Sequence, residues 1–472
     1  MNPTVSPATR RMLPWVVATA LFMEQLDSTI VNTGIPAMAA SLGATPLSLK
    51  AVVTSYILSL AVCIPVSGWL AERFGSRRVF LSAVALFIAS SVLCGLAVNA
   101  PMLIAARVPQ GVAAAMMMPV GRMAIVRTFP KGELLRAMNF VIIPALLGPL
   151  LGPTVGGLIV HWLSWRDIFF VNVPVGLAAL WFGSRHMPDY RSEQRRPLDV
   201  AGLALFGSGA ALLSWLLEIF GVHDLPWVQA AGLLAVSLVL LAGYGWHAMH
   251  TPYPLLDLGL LRTRTFRVSV LGGFVTRLGV GGMPFLLPLL YQLGLGLPAW
   301  QSGLLMAPNA LAAMGMKVFA PRLLKRYGFR RVLVVNTVLV GCMIGSFAFV
   351  QPGTPPAAIV PLGLLMGFFN SLQFSSMNSM GYADIAEGDA AMASTMASTL
   401  QQMSMSFGLA AGSLVAGFYL SGLSQADHHA VTQALHHAFL TLAGFTLVSS
   451  LAFWTLKPND GENVSRGSAT VG

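Results

Sequence analysis

Charged residues are scarce in this sequence. Asp, Glu, Lys and Arg together make up 10% of its 472 residues, where a soluble globular chain carries about 25%. Mean hydropathy is +0.72, so the chain has too little polar surface to cover itself in water, and a soluble globule is excluded. Cysteine is rarer still: Cys63, Cys94 and Cys342 all fall inside apolar runs. They read as small core residues, and no disulfide framework is implied. The phosphate-cradling pattern G-x-x-x-x-G-K-[ST] is absent, so the chain is not itself an ATP-driven pump. No catalytic cluster and no sizeable soluble domain stand out, which argues against an enzyme or a sensor. The chain is expected to use no cofactor and to hold no metal.

What is present is a series of apolar runs, each about 20 residues long, as a helix crossing about 30 Å of hydrocarbon requires. They do not alternate in polarity, so of the two spanning solutions, helices or a closed barrel, they predict helices. Fourteen candidate spans lie near residues 13–33, 49–70, 79–98, 101–126, 137–160, 167–185, 200–219, 227–247, 267–291, 301–321, 332–350, 357–380, 394–420 and 434–456. The first follows Arg10 and Arg11 as a signal peptide would, but it holds Glu24 and Asp27 and lacks a small-residue cleavage site, so it counts as a span.

An even number of spans puts both termini on one side. That side receives Arg73, Arg77, Arg78, Arg127, Lys131, Arg136, Arg185, Arg191, Arg195, Arg196, Arg262, Arg264 and Arg267, then Arg322, Lys325, Arg326, Arg330 and Arg331. The other side holds little beyond Lys50 and Arg166. By the positive-inside rule both termini are cytoplasmic. The net charge of +11 is therefore a topology signal. It is spread over many short loops, which argues against nucleic acid as a partner.

The sequence repeats itself. "RFGSRRVFL" at 73–81 returns as "RYGFRRVLV" at 326–334, each between the second and third spans of its half. Helical transporters are commonly built from duplicated halves with the substrate site between them. The predicted layout has an N-terminal segment 1–12, a six-helix bundle 13–186 and a linker with two inserted spans 187–265. A second six-helix bundle, 266–457, and a polar tail, 458–472, complete it.

Five stretches carry a family resemblance. They are "LDSTIVNTGIP" at 26–36, "GWLAERFGSRR" at 68–78, "RVPQG" at 107–111, "GPLLGPTVGG" at 148–157 and "WRDIFFVNVPVG" at 165–176. Together they resemble the signatures of the major facilitator superfamily, and within it the fourteen-span drug:proton antiporters; Glu72 stands where that family's loop signature usually has Asp. The resemblance implies an all-α membrane protein with the major facilitator fold, two six-helix bundles plus two inserted central helices. It implies a multi-pass exporter of the bacterial cytoplasmic membrane that moves drugs or other amphipathic molecules against protons by alternating access. The proton gradient is the energy source, the chain a monomer, and a periplasmic adaptor protein a partner left open.

Each stretch also has a physical reading. Gly148, Gly152 and Gly156, with Gly157 beside them, give the fifth span a bare face that admits another helix closely. Pro149 and Pro153 bend it. The expected partner is a span of the other half, and by resemblance this contact seals the outer side. In the loop signature, Gly68 and Gly75 frame Glu72, with Arg73, Arg77 and Arg78 around it. Ion pairs there can latch a cytoplasmic gate, or the arginines simply anchor the loop.

Charges within spans mark pathways or proton sites. Glu24 and Asp27 share one face of the first span, and two carboxylates so close resist ionising together, which suits a proton carrier. Arg107 is the natural partner of Asp27, and by resemblance is linked to proton coupling. Asp27 also reads as a structural acid pinning the first helix. Arg122, Arg277 and Lys317 are left with few acids to pair with. Lys317 and Arg122 lie near span ends and can snorkel; Arg277 is deepest. Unpaired cations in a cavity would suit an organic anion or a metal-chelate metabolite, the alternative substrate class. Asn370, Gln373 and Met377 share one helical face with Asn378 at its edge, and Gln401, Gln402, Met403 and Met405 follow. They read as a substrate-cavity lining or as helix packing. His428, His429, His436 and His437 read as a solvated loop rather than a metal site.

Overall fold

A computed structural model of the chain describes residues 7–129, 131–191, 197–219, 226–386, 389–421, 423 and 427–461. Arg195, Arg196 and the polar tail beyond 461 lie outside the described residues. The described residues are helical throughout, with no strand among them. In chain order the helices are α1 (Pro7–Leu42), α2 (Lys50–Phe74), α3 (Ser76–Gly95), α4 (Ala100–Thr128) and α5 (Lys131–Trp162). The sixth span is broken into α6 (Asp167–Phe170) and α7 (Asn172–His186). The inserted pair is α8 (Val200–Ile219) and α9 (Trp227–His250). The ninth span comprises α10 (Arg264–Arg267), α11 (Gly273–Val280) and α12 (Met283–Leu289), followed by α13 (Ala299–Tyr327), α14 (Phe329–Ser346), α15 (Pro356–Gly381), α16 (Ala390–Leu420) and α17 (His428–Trp454).

Twelve helices among the described residues are long and apolar enough to cross a membrane. Two further long helices, α1 with 36 residues and α5 with 32, bring the series to the fourteen read from the sequence. α1 is the less apolar because Glu24, Gln25 and Asp27 lie at its middle. Its ends also run past the expected 13–33, because amphipathic flanks extend a helix beyond its apolar centre. Lys50, expected in a loop, is instead buried at the start of α2.

The chain divides into two compact units, Met1–Ala204 and Leu205–Gly472. Within the first, α1 packs on α5 and α7, α4 on α2 and α3, and α3 on α7. Within the second, α11 packs on α16 and α17, α15 on α13 and α14, and α14 on α17. The pairings correspond helix for helix, so the repeat seen in one loop extends through both bundles. The loop copies also match in conformation. Gly75 ends α2 at φ 98° and Gly328 ends α13 at φ 75°, a region that side chains rarely enter. Each glycine turns the chain directly into the next helix.

The ninth span is the least regular. π-helical turns occupy Val268–Gly272 and Leu290–Gly294, and Gly281–Gly282 separates α11 from α12. Five glycines and two prolines between Gly272 and Pro288 weaken the i to i−4 ladder and account for the breaks.

Candidate functional site

Asp27 is fully buried in α1, and two other helices bring three donors to it. Arg107 of α4 donates from Nη1 to Oδ2 at 2.6 Å. Gln110, one turn along, donates to Oδ1 at 3.1 Å, and Asn172 at the start of α7 donates to the same oxygen at 2.7 Å. Arg107, Gln110 and Asn172 are themselves buried. The set is cross-braced: Arg107 Nη1 also reaches Gln110 Oε1 at 2.8 Å, and Gln110 Nε2 reaches Ser91 Oγ at 2.8 Å. Arg107 Nε donates to the Val52 carbonyl at 3.0 Å, and its guanidinium lies 4.2 Å from the Tyr56 ring. A buried carboxylate needs this number of partners, since desolvation of the ion pair is repaid only when its remaining lone pairs and protons are satisfied.

The geometry explains all three letters of R-x-x-Q-G. The arginine pairs with the acid and the glutamine bonds both the acid and Ser91. The glycine is bare because a Cβ on Gly111 would stand 2.3 Å from the Tyr56 carbonyl oxygen. Close approach of α4 to α2 at that point sets Tyr56 against Arg107.

Glu24, one turn before Asp27, is 3% exposed, and its Oε2 has no hydrogen-bond partner among the described residues. The Tyr56 hydroxyl and Arg107 Nη2 are buried and unpartnered likewise. Arg122 is close enough for its charge to bear on Glu24. Arg122 is therefore not surplus to the acids, as the sequence count suggested. One buried acid is thus fully satisfied and its neighbour is not, a division of environment the sequence did not reveal.

The bare face of α5 meets α1, not a span of the other half as expected. Ideal Cβ atoms on Gly148, Gly152 and Gly156 would stand 2.6 Å from Gln25 Cβ, 2.1 Å from Thr29 Oγ1 and 2.7 Å from the Ile30 carbonyl oxygen. The contact begins at the turn between Glu24 and Asp27, so it holds the acid-bearing helix in place. The sequence suggested an inter-half partner because a glycine stripe shows that a helix comes close without showing which one. The buried Pro153 belongs to the same α5 stretch. The second unit repeats the device: Gly408 of α16 would clash with the Arg277 carbonyl oxygen at 2.2 Å, and Gly412 with the Gly282 Cα at 2.9 Å. "GLAAGSLVAG" at 408–417 matches "GPLLGPTVGG" at four positions, a signal the sequence reading passed over.

The superfamily profile described as Major Facilitator Superfamily matches residues 17–409. The chain belongs to the major facilitator superfamily. It is 38% identical over 439 residues to the candidate multidrug resistance protein MdtD of Serratia proteamaculans (strain 568), covering 93% of this chain and 92% of that one. It is 37% identical to the MdtD of Klebsiella pneumoniae (strain 342), covering 97% of each. Among solved structures, a bacterial homologue of the human lysosomal transporter Spinster aligns at a TM-score of 0.68 and 12% identity, covering 95% and 97% of the two chains. A D-xylose–proton symporter aligns at 0.67 and 14%, covering 96% and 99%. These structures share the fold. The chain is thus a membrane transporter of the superfamily's multidrug-efflux group.

The superfamily's loop signature has a different partner from the one expected. Glu72 faces Arg127 at the end of α4, at 4.0 Å. Arg73 lies over Trp69, and Arg78 and Gly68 are exposed. Arg77 donates to the Ser184 carbonyl, and its backbone N–H to Asp189 Oδ1 at 3.3 Å. The Pro188–Tyr190 segment, read from the sequence only as the start of the linker, straps this turn. Ser76 donates its hydroxyl to Pro188 O at 2.9 Å and its N–H to Tyr190 O at 3.0 Å. After α17 the chain again runs along the repeated turn, where a Cβ on Gly328 would stand 3.9 Å from Pro458 O and one on Gly461 2.5 Å from the Phe329 ring, while Asp460 pairs with Arg264 of α10 at 2.5 Å.

The expected cavity residues separate. Gln373 is buried and occupied: its amide donates to Thr337 Oγ1 at 2.7 Å and accepts from Asn336 at 2.8 Å. It joins α14 to α15, with both ends of its amide engaged by α14. Polarity within a span looks the same whether it faces a ligand or a neighbouring helix. Asn370 has a buried Oδ1 without a partner, Gln401 is half-buried and Met377 buried. Lys317 is exposed, as a snorkelling side chain would be. Cys342 is exposed on α14 rather than in the core. His428 and His436 bond backbone carbonyls of Leu293 and Val350, both at 2.6 Å, and no metal-ligand cluster occurs among the described residues.

Proposed function

We propose that this protein is a proton-coupled antiporter that exports small amphipathic molecules across the bacterial cytoplasmic membrane by alternating access, with both termini cytoplasmic. The proton gradient supplies the energy, no cofactor takes part, and the chain works as a monomer. The observation that carries this reading is the buried pair Asp27–Arg107 with Glu24 one turn away. A carboxylate held inside the membrane by three donors is a site where one added proton changes every bond at once. Protonating Asp27 removes the charge that holds Arg107, Gln110 and Asn172 together. The cluster therefore has two arrangements, and the proton selects between them. Glu24, unsatisfied and buried, takes up the proton first or returns it.

A second reading, export of an organic anion, rests on Arg277, a buried arginine with no acid beside it among the described residues. The multidrug names of the relatives favour the first reading.

The test uses cells loaded with ethidium and expressing the wild type or Asp27→Asn. Energised wild-type cells should lose dye, cells treated with a protonophore should not, and Asp27→Asn should match the protonophore. Dye loss that continues after the gradient collapses would sink the proposal.

A further inference from the structure

Arg277 sits on α11, thirteen residues into a broken span of 31. That is about 20 Å along a helix from Arg264, beyond the reach of a snorkelling side chain. It is 4% exposed, and its Nε is buried without a hydrogen-bond partner. No hydrogen bond or ion pair joins it to any described residue. The sequence explains why no acid of its own bundle can serve: residues 267–383, 390–426 and 428–458 contain no Asp or Glu.

The surroundings are built around the guanidinium. It lies 5.0 Å from the Phe374 ring. Gly273 is bare where a Cβ would stand 2.8 Å from Arg277 Nη1 and 3.2 Å from Met377 Sδ. The Arg277 backbone is pinned from behind by Gly408. The π-helical turn ends just before this segment, and such turns gather at functional sites. The bundle correspondence adds depth: Gly408 abuts Arg277 as Gly148 abuts Gln25 and Leu26. Arg277 therefore holds, in the second bundle, the level that Glu24 and Asp27 hold in the first. Burying an unpaired cation is expensive, and a rigid, aromatic-faced guanidinium suits a planar anion.

We infer that Arg277, with Phe374 and Met377, forms a subsite for the carboxylate of an aromatic or otherwise apolar organic acid. The inference rests on the second reading, in which the chain exports organic anions, and names the chemical class one end of such a substrate carries. The guanidinium pairs with the carboxylate, the ring of Phe374 lies against the apolar body, and the thioether of Met377 adapts to its shape.

Binding to the purified full chain in detergent tests this without a proton gradient. The probes are 1-naphthoate and 1-naphthamide, which share a ring system and differ in charge. The wild type should bind the acid at least tenfold more tightly than the amide. Arg277→Gln should erase that preference while amide binding stays within a few-fold. Arg277→Lys should restore part of it, which a merely unfolded variant cannot do. A wild type without preference for the acid, or an unchanged preference in Arg277→Gln, overturns the subsite. If the preference behaves as stated but Asp27→Asn leaves ethidium efflux intact, the coupling proposal falls and the subsite stands.

Discussion

At the scale of single residues, the Asp27 cluster is a set of contacts with unequal substitutes. Lysine at position 107 places one ammonium where a guanidinium now serves Asp27, Gln110, the Val52 carbonyl and the Tyr56 ring. Arg107→Lys should fold but lose most gradient-driven dye efflux, since one point charge cannot reproduce the fork. Asn172→Ala removes a neutral donor from a buried oxygen, at a cost of about 1–3 kcal/mol. It should lower the melting temperature in detergent, and a melting temperature equal to wild type would show that the Asn172 contact is idle. Tyr56 separates two roles: Tyr56→Phe keeps the ring beside Arg107 and should retain efflux, whereas Tyr56→Leu loses the ring and should not. The pairing of Asp27 with Arg107 was legible in the sequence because both are costly in lipid and both fall in recognisable stretches. Gln110 and Asn172 stood in those same stretches without a role assigned. An amide in a helix carries no mark of burial, and only the packing shows that three donors converge. Gln373 is the reverse case, a polar residue read toward a cavity whose amide bonds Asn336 and Thr337 of α14.

At the scale of elements, glycine spacing governs how closely helices approach. Gly408→Ala would set a methyl 2.2 Å from a carbonyl oxygen of α11, and backbone cannot yield as a side chain can. Gly152→Ala meets a threonine side chain, which can rotate. Gly315 has nothing within 4 Å. The expected order of destabilisation is therefore Gly408→Ala, then Gly152→Ala, then Gly315→Ala near zero, read as loss of the monodisperse peak after heating. Equal losses at Gly408 and Gly315 would refute the packing role. The helices themselves were readable from apolar length, as were the spacings on α5. The partner of α5 was not, because small residues record that a neighbour is near and nothing about its identity. The matching glycines of α16 were available in the sequence but hidden by the divergence between them.

At the scale of the whole molecule, the fold is a duplication in which each helix pairing of one bundle recurs in the other. The loop repeat, the glycine faces and the straps after α7 and α17 all follow it. Orientation rests on the distribution of Lys and Arg. In intact cells a membrane-impermeant maleimide should label Gly353→Cys, in the loop before α15, and leave Arg191→Cys unlabelled until the cells are opened, with the native cysteines replaced. The opposite pattern would invert the topology.

The most direct test of proton coupling through α1 uses the purified protein in liposomes holding a pH-sensitive dye, acidic inside, with ethidium added outside. The account predicts that ethidium drives internal alkalinisation with the wild type and that Glu24→Gln and Asp27→Asn each abolish it. Undiminished alkalinisation in both variants would show that the two acids are structural, and would contradict the central claim.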